Sequence, residues 1–155
     1  MHTENSQLDE DTTKSLATLI MLRKAFDKYN LTKAVSFHRK IELARKFALQ
    51  QTSLNNRDQD EHPISAFHVS SQLNIKQRQR QLKQFESSQK GLISNARCLT
   101  EGVDIPAIDA ILFADPKKST IDIVQAVGRA LRRHKKKKYG YIVVPAYINE
   151  NDTIS

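Results

Sequence analysis

The stretch "ISAFHVSSQLNIKQRQRQLKQFESSQKGLISNA", residues 64–96, holds two short, mainly apolar runs on either side of a polar segment. The runs, Ile64–Val69 and Gly91–Ala96, have the length and composition of strands buried on both faces of a parallel sheet. The segment Ile75–Ser87 places its few apolar residues at helical spacing. The stretch therefore predicts a strand, a covering helix and a second strand parallel to the first.

The same alternation extends toward the amino terminus. Apolar residues recur at helical spacing between Leu16 and Phe26, which predicts a helix. A strand is predicted at Lys33–Phe37 and an amphipathic helix at Arg39–Gln50, followed by a polar loop over residues 51–63.

The alternation also extends toward the carboxyl terminus, where strands are predicted at Ala110–Ala114 and Tyr139–Ile148 with a helix at 120–134 between them. We expect an α/β fold in three layers, a mostly parallel sheet with helices on both faces. One domain is predicted over residues 12–150, with a disordered tail at 1–11 and a short tail at 151–155. In such sheets ligands bind beyond the carboxyl ends of the strands.

The composition is that of a globular chain with an excess of basic residues. The 155 residues include 25 Lys and Arg against 17 Asp and Glu, a formal net charge of +8. This charge favours a polyanionic partner, although many basic proteins bind no nucleic acid. The chain has no apolar run of membrane-spanning length, no secretory signal and a single cysteine, Cys98. We therefore expect a cytoplasmic protein with no membrane partner and no metal site of its own.

The sequence lacks the glycine-rich loops that cradle phosphates. Neither Gly-x-x-x-x-Gly-Lys-Ser/Thr nor Gly-x-Gly-x-x-Gly occurs, and the four glycines lie far apart. If this chain contacts a nucleotide, side chains must make the contact, and the chain then supplies only half of the site.

The segment "QAVGRALRR", residues 125–133, concentrates arginines on a predicted helix. Gln125, Arg129 and Arg132 are spaced by four and three residues and therefore share one face, while the spacing does not exclude Arg133. Guanidinium groups match the geometry of phosphate oxygens. Gly128 permits a close approach by another backbone. A solvated basic face is the alternative, and spacing alone favours it.

The segment "LTEGVDIP", residues 99–106, follows a predicted buried strand. Gly102 allows the backbone to turn sharply, which would present Asp104 at the mouth of the sheet. A carboxylate there suits a ribose hydroxyl or a water molecule. The alternative is an aspartate that caps a turn, which is the more common role of a loop aspartate.

Taken together, these segments resemble the motifs of superfamily 2 helicases and translocases. "LTEGVDIP" and "QAVGRALRR" look like motifs V and VI, and Gln125, Gly128, Arg129 and Arg132 match all four fixed positions of motif VI. "AVSFHRKIELARKF" lies where motif IV lies, and "HVSSQLNIKQRQRQLKQF" resembles the segment after it. The resemblance covers residues 15–148 and is closest to restriction-enzyme and DEAH-like helicases, because motif VI of DEAD-box RNA helicases begins with His.

The resemblance implies the second of two RecA-like domains that close on ATP and Mg²⁺. The first domain, on the same parent chain, would hold most of both ligands, and this chain alone would be inactive. By the motif match, Arg132 would be the arginine finger, Arg129 a second γ-phosphate contact and Gln125 a γ-phosphate or water contact. Asp104, Gly102 and Gly128 would complete the nucleotide side of the site.

The resemblance also implies a grip on the phosphate backbone of one nucleic-acid strand, with DNA favoured over RNA. Short hydroxyls and backbone N–H groups suit such contacts, although each serine has an ordinary turn or cap as its alternative. An RNA helicase, or a non-catalytic nucleic-acid-binding module of the same fold, remains an alternative. The candidate residues for the grip are Ser36, Phe37, His38, Arg39, Ser70, Ser71 and Thr100.

Overall fold

The computed structural model describes residues 2–59, 63–96, 107–114 and 139–145. From α1 to β3 the described elements alternate between helix and strand, as the sequence predicts, and the predicted helix at 120–134 lies outside the described residues. None of the helices in these ranges is long and apolar enough to cross a membrane. In chain order the elements are α1 (His2–Tyr29), β1 (Lys33–Phe37), α2 (Ile41–Asp58), β2 (Ser65–Ser70), α3 (Ile75–Ser87), β3 (Gly91–Ala96), β4 (Ala110–Phe113) and β5 (Tyr141–Val143).

The five strands form one sheet in the order β2-β3-β1-β4-β5, and every neighbouring pair is parallel. The central strand is β1, whose Phe37 lies beside Asn95 of β3 and Phe113 of β4. This arrangement confirms the predicted parallel α/β fold. Because all strands run in the same direction, their carboxyl ends lie at one edge of the sheet, called here the carboxyl edge.

Helices cover both faces of the sheet, which confirms the predicted three layers. In β4, Ala110 and Leu112 pack into the core beneath α1 and α2, while Ile111 and Phe113 pack into the core beneath α3. The alternation follows from the two-residue period of a strand. Every residue of β4 is buried, which explains why the strand shows no polar alternation in the sequence.

Local side-chain contacts define where helix α3 begins and where the strand after it starts. Asn74 accepts a hydrogen bond from the Gln77 backbone N–H, and the Gln77 side chain accepts one from the Asn74 N–H, so the two form a capping box. After the helix, Gly91 opens β3 close to the end of α3. A Cβ at Gly91 would lie 2.6 Å from the Ser88 hydroxyl and 2.8 Å from the Phe85 ring, so a larger residue would force these side chains to shift.

Two helices are longer than the sequence predicts. Helix α1 begins at His2, so residues 2–11 are helical where the sequence predicts a disordered tail. This segment contains neither Gly nor Pro, and Glu10 pairs with Lys14 one turn later at 2.9 Å. Helix α2 continues through residues 51–58, where a polar loop is predicted.

Buried hydrogen bonds explain the extension of α2. The side-chain amides of Gln51 and Asn55 both donate to the carbonyl oxygen of Ile64, just before β2. These amides bind the chain that returns to the sheet, so a polar sequence here serves a buried helix face. The helix ends where Gln59 adopts a left-handed conformation, with φ 48° and ψ 48°.

A buried carboxylate joins the amino ends of β1 and β4. Asp109 accepts hydrogen bonds from the Thr32 N–H at 2.9 Å, the Lys33 N–H at 3.1 Å and the Thr32 hydroxyl at 3.1 Å. Lys33 continues the connection to the opposite helix, because its ammonium donates to the Phe85 carbonyl oxygen at the end of α3. One contact chain therefore crosses the sheet from β4 to α3.

Replacing Asp109 with Ala should lower the free energy of unfolding by about 3 kcal/mol, because three half-buried donors lose their buried acceptor. Urea unfolding followed by circular dichroism measures this loss. Asp58→Ala is the matched control, since Asp58 is 45% exposed and its ion pair with Arg23 contributes less than about 1 kcal/mol. Equal losses in the two variants would contradict the role given to Asp109.

Candidate nucleic-acid interface

The carboxyl edge brings together two of the predicted contact segments. Arg39 follows β1, and Ser71 follows β2; β3 alone separates these two strands. At the usual spacing between strands, the two segments lie roughly 10 Å apart. The sequence predicts each segment independently, and the parallel sheet places both at the same edge.

Four of the predicted contact residues are buried, namely Ser36, Phe37, Ser70 and, as described below, His38. Ser36 is fully buried, and its hydroxyl lies 2.9 Å from Nε2 of His38. Phe37 belongs to the core beneath α3, where its ring stacks on Phe113 with 5.9 Å between centroids. Ser70 is buried as well, and its Oγ accepts the Gln72 N–H at 3.3 Å. Ser36, Phe37 and Ser70 pack beneath the carboxyl edge, and their buried side chains are not accessible to a phosphate.

His38 is a buried, neutral imidazole. Its ring packs against Phe47 with 4.7 Å between centroids. Burial, with a smaller contribution from nearby His68, lowers the pKa of His38 to about 3. His38 therefore carries no charge at neutral pH and contributes an aromatic ring and a hydrogen bond rather than a cation.

A row of polar side chains crosses the sheet beneath α2. Ser36, Ser94 and His68 occupy register positions side by side on β1, β3 and β2. The Ser94 hydroxyl donates to the Ala44 carbonyl oxygen in α2, and Nδ1 of His68 lies 3.4 Å from the same hydroxyl. Burial and the nearby Arg45 lower the pKa of His68. This polar row joins three strands to the start of α2.

Sequence reasoning does not select Ser94, although a signal for it exists. Ser94 lies two residues after Leu92 and faces the same side of the sheet. A hydroxyl in the centre of a buried strand needs a partner, and the α2 backbone provides it.

The exposed cations of the edge surround the start of α2. Arg39 and Lys40 precede the helix, and both are exposed. Lys40 is the N-cap residue of α2, and within the described part of the chain its side chain makes no capping hydrogen bond. The Lys40 side chain therefore does not cap the N–H groups of the first turn. Arg45, one turn into the helix, donates to Oε1 of Gln72 at 3.0 Å and so links α2 to the turn after β2. Helix N–H groups beside cations favour an anion.

The remaining predicted site residues lie outside the described residues. They comprise the candidates for nucleotide contact and one candidate for nucleic-acid contact, and their roles stay predictions. They are Gln125, Gly128, Arg129, Arg132, Gly102, Asp104 and Thr100.

The family model named "Helicase conserved C-terminal domain" matches residues 14–134. This chain is a helicase C-terminal domain. The match covers the described core of the sheet and both arginine positions of the motif resembling motif VI. The resemblance to superfamily 2 helicases is thereby confirmed, and its second RecA-like domain is the part present here.

Relatives of this helicase domain include a viral helicase, a fungal helicase and a restriction-modification enzyme. The chain is 38% identical to the ATP-dependent Type ISP restriction-modification enzyme LlaBIII, solved bound to DNA, with a TM-score of 0.64 over 79% of this chain and 8% of that chain. It is 29% identical over 150 residues to the probable helicase A859L of African swine fever virus, covering 93% of this chain and 16% of the relative.

Two further matches extend the range of the family. The putative ATP-dependent helicase IRC3 of Saccharomyces cerevisiae is 32% identical over 80 residues, covering 52% of this chain and 12% of the relative. Domain 2 of the Mss116p DEAD-box helicase, solved bound to an RNA duplex, is 14% identical with a TM-score of 0.63 over 86% of this chain and 50% of that chain, a likeness of fold alone. This helicase domain therefore spans a small part of its curated relatives.

The neutral His38 predicts a pH dependence of stability. Its pKa of about 3 lies below the ordinary value of 6.5, so the unfolded chain binds one more proton between these values. Stability is therefore full above pH 6.5 and falls by up to about 1.4 kcal/mol per pH unit toward pH 3. His38→Gln keeps a group that can bond to Ser36 but does not titrate, and it should remove this slope.

The effect is the difference between the free energies of unfolding of wild type and His38→Gln, measured in urea between pH 7 and pH 4.5. Carboxylates titrate equally in both proteins, so their contributions cancel in this difference. His68→Gln should remove a smaller slope of the same sign, because His68 is only half-buried. Parallel pH curves for wild type and His38→Gln would rule out a buried neutral imidazole.

Proposed function

We propose that this chain is the second motor domain of an ATP-dependent DNA helicase or translocase, in which it supplies the arginine finger and part of the grip on nucleic acid. The family match over residues 14–134, with Gln125, Gly128, Arg129 and Arg132 all within it, carries the proposal. The polar carboxyl edge supports it, because ligands of parallel sheets bind at that edge.

In this proposal the chain provides one half of an ATP site. Arg132 neutralises the charge that develops on the transferring phosphoryl group, Arg129 makes a second γ-phosphate contact, and Gln125 holds the γ-phosphate or the water. Asp104, Gly102 and Gly128 line the nucleotide. Among the described residues no three His, Cys, Asp or Glu side chains form a metal-ligand group, and the proposal assigns Mg²⁺ mainly to the first RecA-like domain.

The grip on nucleic acid is assigned to the exposed groups of the carboxyl edge. Arg39, Lys40 and Arg45 carry the charge, and Ser71 adds an exposed hydroxyl. These groups recognise phosphates rather than base edges, so the contact carries little sequence information. Such a contact suits a motor that must move along any sequence.

DNA is proposed over RNA as the substrate. The support is the likeness to the restriction-modification enzyme, since the neighbours bound to RNA resemble this chain in fold alone. An RNA helicase is the second candidate. Binding of single-stranded DNA and RNA oligomers of equal length, compared at one salt concentration, separates the two.

Arg132→Ala in a parent protein that contains both RecA-like domains should lower the ATP hydrolysis rate about 10³-fold or more, with nucleic-acid binding retained. Arg133→Ala is the matched control and should leave the rate within about twofold, because only Arg132 matches the motif. The 155-residue chain alone should hydrolyse ATP negligibly. A coupled phosphate-release assay measures all three.

Unchanged hydrolysis in Arg132→Ala would favour the non-catalytic binding module instead. Robust hydrolysis by the isolated chain would contradict the half-site arrangement.

Arg39→Gln should weaken binding of a single-stranded oligonucleotide and reduce the dependence of log affinity on log salt by roughly one ion, because one phosphate contact is lost. Arg57→Gln is the control, since Arg57 lies in the last turn of α2, away from the carboxyl edge. Fluorescence anisotropy at several salt concentrations measures both slopes. Identical slopes in the two variants would place the grip elsewhere.

A further inference from the structure

The outer surface of α1 and α2 carries an apolar groove of about 350 Å³. Leu16 lines it from α1, and Leu49, Ser53 and Leu54 line it from α2. Leu49 is 62% exposed, and Ile20, one turn after Leu16 on α1, is also exposed. None of the residues predicted to contact nucleotide or nucleic acid lines this groove. An exposed apolar patch with polar residues around it is typical of a contact between proteins.

The groove extends away from the proposed grip on nucleic acid. Helix α2 begins at Ile41, directly after β1, and ends at Asp58, from which the chain returns to the start of β2. The groove follows this helix from Lys46 to Arg57, toward the amino edge of the sheet. Arg39 lies before the start of α2, so an occupant of the groove and a strand held at the carboxyl edge contact different parts of the chain.

Hydrogen bonds hold the two helices together along the groove. Ser15 of α1 donates to Oε1 of Gln50 in α2, and Arg23 of α1 donates to Oδ1 of Asn55 in α2 at 3.1 Å. On α1, Leu16 lies between these two contacts. The groove is therefore formed before an occupant arrives, and little entropy is lost in ordering it.

A cation lies at each end of the groove. Lys46 and Arg57 both line it, and both are exposed. The 11 positions between them correspond to three helical turns, so the two cations share one face of α2, about 16 Å apart along its axis. Of the two carboxylates of α2, Asp58 pairs with Arg23 at 3.0 Å and Glu42 lies outside the groove. The groove therefore favours an acidic occupant.

We propose that this groove binds an amphipathic helix of a separate, acidic partner protein. Such a helix places an apolar stripe between Leu16 and Leu49 and one carboxylate near each of Lys46 and Arg57, three turns apart. Apolar grooves with this shape bind amphipathic helices in many proteins. The inference goes beyond the proposed function, since neither ATP nor nucleic acid enters the groove.

Other occupants fit the groove less well. A second copy of this chain brings its own net charge of +8 and is repelled. A nucleic-acid strand is anionic throughout, whereas the residues between the two cations are mainly leucines, which offer nothing to a phosphate.

The test of charge uses two labelled peptides of about 18 residues, long enough to form a helix. Both carry Leu on one stripe; one has two Glu residues eleven positions apart, and the other has Gln in their place. Anisotropy should show that the wild-type chain prefers the Glu peptide by about 5-fold, from two exposed ion pairs. The double variant Lys46→Gln/Arg57→Gln should lose this preference. Lys76→Gln/Lys83→Gln removes the same charge from exposed positions on α3 and should keep it.

The test of the apolar contact uses Leu49→Gln, which should weaken binding of both peptides about 10-fold. Because Leu49 is exposed, the variant keeps the fold. Ile75→Gln is the matched control, since Ile75 is 67% exposed and lies on α3, and it should leave both affinities within about twofold.

Equal wild-type affinities for the two peptides, or equal behaviour of the groove variants and the α3 variants, would overturn the inference. So would dimerisation that Leu49→Gln abolishes, which would assign the groove to a second copy, or displacement of the peptide by an oligonucleotide. Binding of the Glu peptide to this chain but not to a parent with both RecA-like domains would assign the groove to the parent and overturn it as well. Oligonucleotide binding by Leu49→Gln should equal that of wild type, so the proposed function is tested separately.

Discussion

The parallel pairing of β1 with β3 and β4 is the constraint on which the rest of the structure depends. Because β1 is central and flanked by parallel strands, every segment that leaves a strand leaves it at the same edge. Residues that are 30 or more positions apart in the sequence, such as Arg39 and Ser71, thereby become neighbours. At the amino edge, by contrast, the carboxylate of Asp109 and the ammonium of Lys33 bind backbone groups.

Two buried hydroxyls near the carboxyl edge have partners, which matters because an unpaired buried group costs free energy. Ser36 is paired with His38, and Ser94 with the backbone of α2. Burying His38 as a neutral ring avoids the far larger cost of a buried charge. These buried contacts fix the backbone that carries the exposed cations around the start of α2. Less conformational entropy is therefore lost when these side chains bind a phosphate.

The sequence predicts the central elements well, since β1, α3 and β3 have the bounds expected from apolar runs and helical spacing. It fails where polar residues serve buried roles. Gln51 and Asn55 look like loop residues because their partner, the Ile64 carbonyl, is supplied by tertiary structure. The motif match likewise identified the Ser36–Arg39 segment as a ligand segment without showing which side chains face inward. The register of β1 with β3 and β4 shows that Ser36 and Phe37 are buried, whereas Arg39, which follows the strand, is exposed. The sequence alone does not contain this register.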